Sequence, residues 1–150
     1  MNIKMVDITS KEKCYREALA YGRILLRKET IKLILERKVE KGDVLTTAQV
    51  AAILAVKRTP EIIPLCHPIP LTGVDVEFKL EEEYIEAFVR VRTLAETGVE
   101  MEALIGVTTA LLTIWDMVKK YEKDSKGQYP RIKITDVKVI QKTKKSIGIK

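Results

Sequence analysis

Hydrophobic and polar residues alternate most regularly in the middle of the chain. Residues 74–80 (VDVEFKL) and 84–94 (YIEAFVRVRTL) each place apolar side chains at every second position, and three glutamates at 81–83 separate them. A period of two is typical of a strand with one buried face. The pattern therefore predicts an antiparallel hairpin with a charged turn.

Two further segments alternate less regularly, and a polar stretch follows the second. Residues 16–26 (REALAYGRILL) fit a strand with a face of small side chains, but also a helix, because periodicity alone does not separate the two. Residues 131–140 (RIKITDVKVI) alternate with one offset, which predicts a last strand that can carry a bulge. Residues 142–150 are rich in lysine, and we expect a flexible basic tail there.

Helical periodicity marks three other segments. Residues 28–39 place their apolar side chains on one helical face. A second helix begins near Asp43 or Thr46 and ends at 57–58, before a proline. The longest predicted helix covers 99–121 and is apolar on several faces, which suits burial against a sheet or contact with another subunit.

A rigid loop surrounds the only histidine of the chain. Four of the five prolines stand at positions 60, 64, 68 and 70, and His67 lies among them. Prolines at this density exclude a regular helix through the segment and favour a stiff, extended path. Rigid loops on a folded scaffold are frequent places for binding residues, so the loop is a candidate site.

The order of these elements predicts the fold class. Strands and helices mix without a regular strand–helix–strand alternation, so we expect an α+β fold with a largely antiparallel sheet. A length of 150 residues, with 46% hydrophobic and 32% charged residues, suits one globular domain over 1–150.

The same composition narrows the classes of protein. No apolar run looks long enough for a membrane helix, and the first residues lack the apolar stretch of a signal peptide, so a cytoplasmic protein is expected. Two cysteines and one histidine provide neither a disulfide framework nor zinc-finger spacing. We therefore expect no metal site.

Positive charge is concentrated at the end of the chain. The net charge is +6, and the last 32 residues hold 11 Lys or Arg against three Asp or Glu. Such a block favours an anionic partner, either a phosphate ligand or nucleic acid, although it also fits a solvated surface. Only two of the eight aromatic residues, Tyr121 and Tyr129, fall in this segment, so few side chains could stack on bases.

Asp116 and Lys119 are the first candidates for catalysis. Their spacing on the longest helix places both side chains on one face, within reach of an ion pair. An exposed pair of this kind contributes under ~1 kcal/mol and need have no function. Trp115 and Met117 flank the aspartate, however, and at a partly buried site the pair could divide the roles of proton donor and acceptor.

Other polar residues each allow a structural and a functional interpretation. Glu100 and Glu102 open the longest helix, where the helix dipole favours carboxylates, but they could also accept hydrogen bonds from the edge of a guanine-like base. His67 could be structural, or could donate to a phosphate or a ligand carbonyl. Cys66 suits packing, and Lys41 suits either a phosphate contact or a solvated surface.

Six motifs in the chain resemble those of a known family. They are MVDIT at 5–9, KGDV at 41–44, AVKRT at 55–59, IPLCHPIPL at 63–71, TGVEMEAL at 97–104 and LTIWDMVKK at 112–120. In order and spacing they resemble the molybdenum cofactor biosynthesis protein C (MoaC) family, the cyclic pyranopterin monophosphate synthases. The resemblance covers essentially the whole chain.

The resemblance implies an activity and an assembly. Family members are lyases that convert (8S)-3′,8-cyclo-7,8-dihydroguanosine 5′-triphosphate to cyclic pyranopterin monophosphate and release pyrophosphate, in molybdenum cofactor biosynthesis. They have a ferredoxin-like fold, need no cofactor and form homohexamers, as trimers of dimers. Their active sites lie at dimer interfaces. The alternative from a different class is a nucleic-acid-binding module that uses the basic C-terminal segment.

The motifs also carry residue roles onto this chain. The resemblance implies that Asp116 and Lys119 form the catalytic pair, with Lys119 as general acid or base. It implies substrate contacts for Lys41 of KGDV, for the LCHP residues, for the GVEMEAL residues and for a C-terminal lysine; these are Leu65, Cys66, His67, Glu100, Met101, Glu102 and Lys142.

One segment departs from the family pattern. The family usually ends in a glycine-rich stretch resembling KSGGKSG, which would close over the ligand, whereas this chain has KTKKSIG at 142–148. Lys142 matches the first family lysine best, and a shift that matches Lys145 and Ser146 is the other alignment. Closure by this tail is therefore an open question at the level of sequence.

Overall fold

Four strands and four helices follow one another in the computed structural model, which describes residues 1–147. In chain order they are β1 Cys14–Leu25, α1 Lys28–Leu35, α2 Val44–Lys57, α3 Thr59–Ile62, β2 Leu71–Leu80, β3 Tyr84–Ala95, α4 Glu100–Glu122 and β4 Lys133–Ser146.

The strands form one antiparallel sheet in the order β2-β3-β1-β4, with β1 paired to both β3 and β4. Helices α2 and α4 pack on one face of it. This is the α+β, ferredoxin-like arrangement that the sequence predicts. It makes β1 a central strand, which settles the choice between helix and strand left open for residues 16–26.

The predicted hairpin of β2 and β3 is confirmed. Val74 lies opposite Val91 and Val76 opposite Val89, so the apolar positions of both strands share one face. Val76, Val89 and Val91 are buried under the helices. The alternation in the sequence therefore predicts correctly which face of the sheet the helices cover.

Two helix ends have local causes. The carboxylate of Asp43 accepts a hydrogen bond from the Thr46 amide at 3.0 Å, which caps α2 where the sequence places its start. Helix α1 ends at Leu35, four residues before the predicted end, and Arg37 then adopts a positive φ of 56°. A left-handed residue at this point reverses the chain toward α2.

The proline-rich segment contains one short turn of helix and no regular structure after it. Helix α3 spans only Thr59–Ile62, with Pro60 in its first turn, where a missing amide hydrogen costs nothing. Residues 63–70 then form the loop that carries His67. The expectation that no regular helix crosses this segment is confirmed.

The last strand is longer than its polarity suggests. Its register against β1 shifts twice, and Asp136 has a positive φ of 59°, which confirms the expected bulge. The pairing then continues to Ser146, opposite Cys14. Residues 142–146 are therefore strand, rather than the start of the expected flexible tail, because the free edge of β1 binds their backbone; residues 148–150 lie outside the described range.

Helix α4 packs on the sheet at two points that only glycine permits. A Cβ atom placed on Gly106 would lie 2.8 Å from Val56 Cγ2 and 2.9 Å from Val89 Cγ1. On the sheet side, a Cβ on Gly22 would lie 2.8 Å from a methyl carbon of Leu111. These contacts are shorter than carbon atoms tolerate, so both positions fix how closely the helix approaches.

Among residues 1–147, α4 is the one helix long and apolar enough to cross a membrane by length and composition. The expectation that no segment is so apolar is therefore wrong by this measure. Half of that span is buried inside the fold, against β1, β3 and α2, as in the core helix of a globular domain.

The contact at Gly106 predicts a destabilising substitution. Alanine is favoured over glycine inside a helix by about 1 kcal/mol, so an uncrowded site would gain stability from Gly106→Ala. Here the added methyl group meets Val56 and Val89, and we expect a net loss of about 1–3 kcal/mol in the free energy of unfolding. Denaturant unfolding measures it, and a variant at least as stable as the wild type would contradict the close packing.

Candidate active site

Asp116 lies between two lysines that come from different parts of the chain. Lys119, one turn further along α4, places Nζ 3.0 Å from Asp116 Oδ1. Lys41, in the turn between α1 and α2, places Nζ 3.1 Å from Asp116 Oδ2 and donates to the Asp116 main-chain carbonyl at 2.9 Å. We call these three residues the Asp–Lys cluster. The structure therefore joins Lys41 to the pair that helical spacing predicts.

The cluster is exposed in the single chain, and its charges stabilise one another. Hydrogen bonds from Lys119 and then Lys41 lower the pKa of Asp116, and Asp116 in turn raises the pKa of Lys119. The partly buried setting that the sequence suggests for this pair is therefore not found in the single chain. At neutral pH the cluster holds two ammonium groups and one carboxylate, a net positive site that suits a phosphate group.

A shallow apolar cavity adjoins the Asp–Lys cluster. Leu112, Trp115 and Tyr129 line it together with Asp116 and Lys119, and its volume is about 380 Å³. Trp115 and Tyr129 meet edge to face, with ring centroids 5.4 Å apart. The cluster thus offers charged groups beside two aromatic side chains, an arrangement suited to a ligand with both phosphate and ring.

The turn that carries Lys41 is held by residues that the sequence did not single out. Glu40 forms an ion pair with Lys120, and the Glu40 amide donates to the Tyr121 hydroxyl at 2.9 Å. Both partners come from the last turns of α4. The sequence signal that could have revealed this role is the pair of adjacent lysines in the DMVKK motif. Lys119 joins the Asp–Lys cluster, and Lys120 positions the turn.

A second group of predicted residues lies at the other end of α4, where the proline-rich loop meets its first turn. The Cys66 thiol points to Glu102, with Sγ 3.8 Å from Oε2. Glu102 is only 2% exposed, and its Oε1 has no hydrogen-bond partner among the described residues. Burial raises the pKa of Glu102, and burial together with this carboxyl raises the pKa of Cys66. Cys66 is therefore a poor nucleophile here.

Lys142 reaches the same end of α4 from strand β4. Its Nζ lies 3.9 Å from Glu100 Oε2. Alternation along the strand puts Lys145 on the opposite face of the sheet. Of the two alignments considered for the C-terminal motif, the geometry supports the one that uses Lys142.

Three further predicted residues complete this second group: Leu65, His67 and Met101. We call the whole group the loop–helix cluster; its members are Leu65, Cys66, His67, Glu100, Met101, Glu102 and Lys142. Leu65 and Met101 are each 41% exposed and present apolar surface beside the polar groups. His67 is half-buried, and its Nε2 lies 2.6 Å from the main-chain oxygen of Val6. The N-terminal MVDIT motif thus belongs to this cluster.

The two clusters are far apart in one chain. Glu102 and Asp116 lie fourteen positions apart on α4, which at 1.5 Å per residue is about 21 Å along the helix axis. One chain therefore carries two separate groups of predicted site residues, one at each end of α4.

Within residues 1–147, no three side chains of His, Cys, Asp or Glu are grouped so that they could hold a metal ion. The polar side chains of the two clusters end in ammonium, carboxylate, imidazole and thiol groups.

Comparison with known proteins finds similarity over nearly the whole chain. The sequence model of the MoaC family matches residues 5–145. A Pyrococcus abyssi protein named probable cyclic pyranopterin monophosphate synthase is 66% identical over 142 residues, which cover 95% of this chain and 89% of that protein. An Aeropyrum pernix protein of the same name is 59% identical over 140 residues, 93% of this chain and 96% of its own. A Methanothermobacter thermautotrophicus protein, 63% identical over 142 residues (95% and 89%), is named a probable accessory protein of that synthase.

The buried Glu102 carboxyl predicts a pH-dependent cost in stability. Because its pKa is raised in the folded state, the carboxylate destabilises the fold at neutral and higher pH. The penalty falls as pH drops through the raised pKa toward the ordinary value. Glu102→Gln removes the charge, and we expect it to stabilise the fold by about 1–3 kcal/mol at neutral pH.

The free energy of unfolding of both proteins, measured from neutral pH down to about pH 4, tests this. The difference should shrink with acidification. A difference that stays constant or grows toward low pH would contradict a raised pKa. Glu96→Gln, which changes the same charge on the loop before α4, is the matched control.

Proposed function

The chain belongs to the MoaC family, and we propose that it is a lyase that converts (8S)-3′,8-cyclo-7,8-dihydroguanosine 5′-triphosphate to cyclic pyranopterin monophosphate with release of pyrophosphate. This reaction is a step of molybdenum cofactor biosynthesis. The observation that carries the proposal is the Asp–Lys cluster, in which one carboxylate fixes two ammonium groups beside two aromatic side chains. The presence of the whole cluster favours a catalytic role over that of an inactive accessory protein.

The phosphate chemistry of this reaction matches the charge of the cluster. A cyclic phosphate forms when a hydroxyl oxygen of the sugar-derived part bonds to the α-phosphorus and the bond to the pyrophosphate oxygen breaks. The leaving group gains negative charge in that step, so nearby cations lower its barrier. Lys41 is placed to meet the triphosphate, and Asp116 holds it in position.

Proton transfer to the purine-derived ring is assigned to Lys119. Because Asp116 raises its pKa, Lys119 is protonated at neutral pH in the free chain and acts first as a general acid. Asp116 orients the ammonium group through the ion pair between its Oδ1 and Lys119 Nζ. The Trp115 and Tyr129 rings beside the cluster offer a surface for the ring system.

The separation of the two clusters supports an active site shared by two chains. A two-fold axis across α4 would run the helix antiparallel to its copy, and would place the Asp–Lys cluster of one chain near the loop–helix cluster of the other. Apolar side chains exposed along the outer faces of the helices, Met101 and Leu112 on α4 and Val50 and Leu54 on α2, are suited to such a contact. We assign the chain to a homohexamer, a trimer of these dimers, without a cofactor and in the cytoplasm.

Removal of the Lys119 ammonium group should abolish the reaction while the fold persists. We expect Lys119→Ala and Asp116→Ala each to lower pyrophosphate release at least about 100-fold, because each removes a group that acts in proton transfer. Both side chains are exposed, so the free energy of unfolding should stay close to the wild-type value. Lys126→Ala, an equal change of charge at an exposed site, should keep full activity. Near wild-type turnover of the two cluster variants would refute the catalytic roles of Lys119 and Asp116.

The shared site predicts recovery of activity in a mixture of two inactive variants. Lys119→Ala damages the Asp–Lys cluster and His67→Ala the loop–helix cluster. In a mixed dimer one site carries both lesions and the other carries none, so random reassembly should restore about a quarter of wild-type sites. Differently tagged chains, unfolded and refolded together, allow assemblies that contain both variants to be isolated. If these mixed assemblies remain as inactive as either parent, each chain holds its own complete site.

A further inference from the structure

The N-terminal segment contacts His67 through its main chain. The imidazole Nε2 lies 2.6 Å from the main-chain oxygen of Val6, well within hydrogen-bond distance. A carbonyl oxygen can only accept a hydrogen bond, so the proton must sit on Nε2. The partner of the ring therefore determines its tautomer, which the positions of the ring's heavy atoms by themselves do not reveal.

Both partners of this contact are held in place. The Asp7 carboxylate accepts a hydrogen bond from the Thr9 amide at 2.7 Å, and the Lys11 amide donates to the Ile8 carbonyl at 3.0 Å, so a turn follows Val6 directly. On the other side, prolines on both flanks stiffen the loop of His67. The hydrogen bond thus joins two constrained segments.

A neutral imidazole has one donor and one acceptor nitrogen. When Nε2 donates to Val6, the lone pair on Nδ1 is the polar group that remains for a ligand. His67 in this state can accept a hydrogen bond, but cannot donate one to a phosphate oxygen or a ligand carbonyl. This decides between the donor and acceptor roles that a histidine offers.

The cavity beside His67 agrees with an acceptor role. Residues 5–9 line it together with His67 and Glu96, and its volume is about 590 Å³. Two of its lining side chains are carboxylates and none is lysine or arginine, within the described chain. A cavity with this lining repels a triphosphate and suits groups that donate hydrogen bonds, such as sugar hydroxyls or ring N–H groups.

We propose that the main-chain carbonyl of Val6 is a positioning group for His67: it fixes the Nε2–H tautomer, so that Nδ1 accepts a hydrogen bond from a hydroxyl or N–H group of the substrate. The substrate part of this inference rests on the proposed function; the tautomer does not. It gives the MVDIT motif, which the catalytic cluster leaves without a role, a place in the site.

The tautomer can be measured without any assay of activity. His67 is the only histidine, so a long-range ¹H–¹⁵N correlation spectrum of the ¹⁵N-labelled full chain contains a single imidazole. At a pH where that ring is neutral, we expect one protonated nitrogen at Nε2 and one bare nitrogen at Nδ1. A proton on Nδ1, or two averaged nitrogen shifts, would overturn the proposal.

Two substitutions then separate the acceptor role from a structural one. In His67→Asn the amide oxygen can take the place of Nδ1 and accept from the substrate, whereas in His67→Gln the amide reaches the position of Nε2 and can bond only to Val6. We expect kcat/KM of His67→Asn to exceed that of His67→Gln by about tenfold, the effect of one hydrogen bond. The reverse order would mean that the substrate meets Nε2.

The outcomes also separate this inference from the proposed function. A bare Nδ1 in a protein that releases no pyrophosphate would refute the proposed function and leave the tautomer established. An active enzyme with a protonated Nδ1 would refute the inference alone. Added substrate should move the Nδ1 shift of the wild type and leave Nε2 nearly unchanged; a shift confined to Nε2 would count against the acceptor role.

Discussion

The close contact of α4 with the sheet is the constraint on which the rest of the structure depends. Gly106 against Val56 and Val89, and Gly22 under Leu111, leave no room for a different depth or register of the helix. A rigid rod of 23 residues is thereby fixed across the domain. Because predicted site residues lie at both of its ends, the length of α4 sets the distance between them. Under the proposed function, a substrate that contacts both groups meets two chains.

The exposure of the Asp–Lys cluster can be understood from its position at one end of α4. In the single chain, the hydrogen bond and the charge of Asp116 raise the pKa of Lys119. A second chain that covers the cluster would remove water, and burial disfavours a charged ammonium group. Assembly and substrate binding would then shift the pKa of Lys119 back toward the range in which it exchanges protons. Under the proposed function such tuning requires an interface, and in the single chain the lysine proposed as catalytic resembles an ordinary surface lysine.

Local patterns in the sequence were sufficient to predict part of the fold. The hairpin, the long helix and the Asp43 cap follow from alternation, periodicity and one side chain, all within a few residues. The contact between Lys41 and Asp116 joins residues 75 positions apart, and the Val6–His67 contact spans 61, so neither leaves a local signal. The polar composition of residues 142–146 led to a wrong prediction of where β4 ends, because a strand paired on one side needs few buried side chains.

Strand β4 has a consequence for the behaviour of the protein in a crowded solution. Within residues 1–147 it pairs only with β1, so its outer edge presents backbone groups that these residues leave unpaired and to which a strand of another molecule could add. Five lysines stand on this strand, at positions 133, 138, 142, 144 and 145. An incoming copy of the same edge would bring the same charges into contact. Repulsion between the lysines of β4 thus opposes edge-to-edge pairing of two copies of the chain.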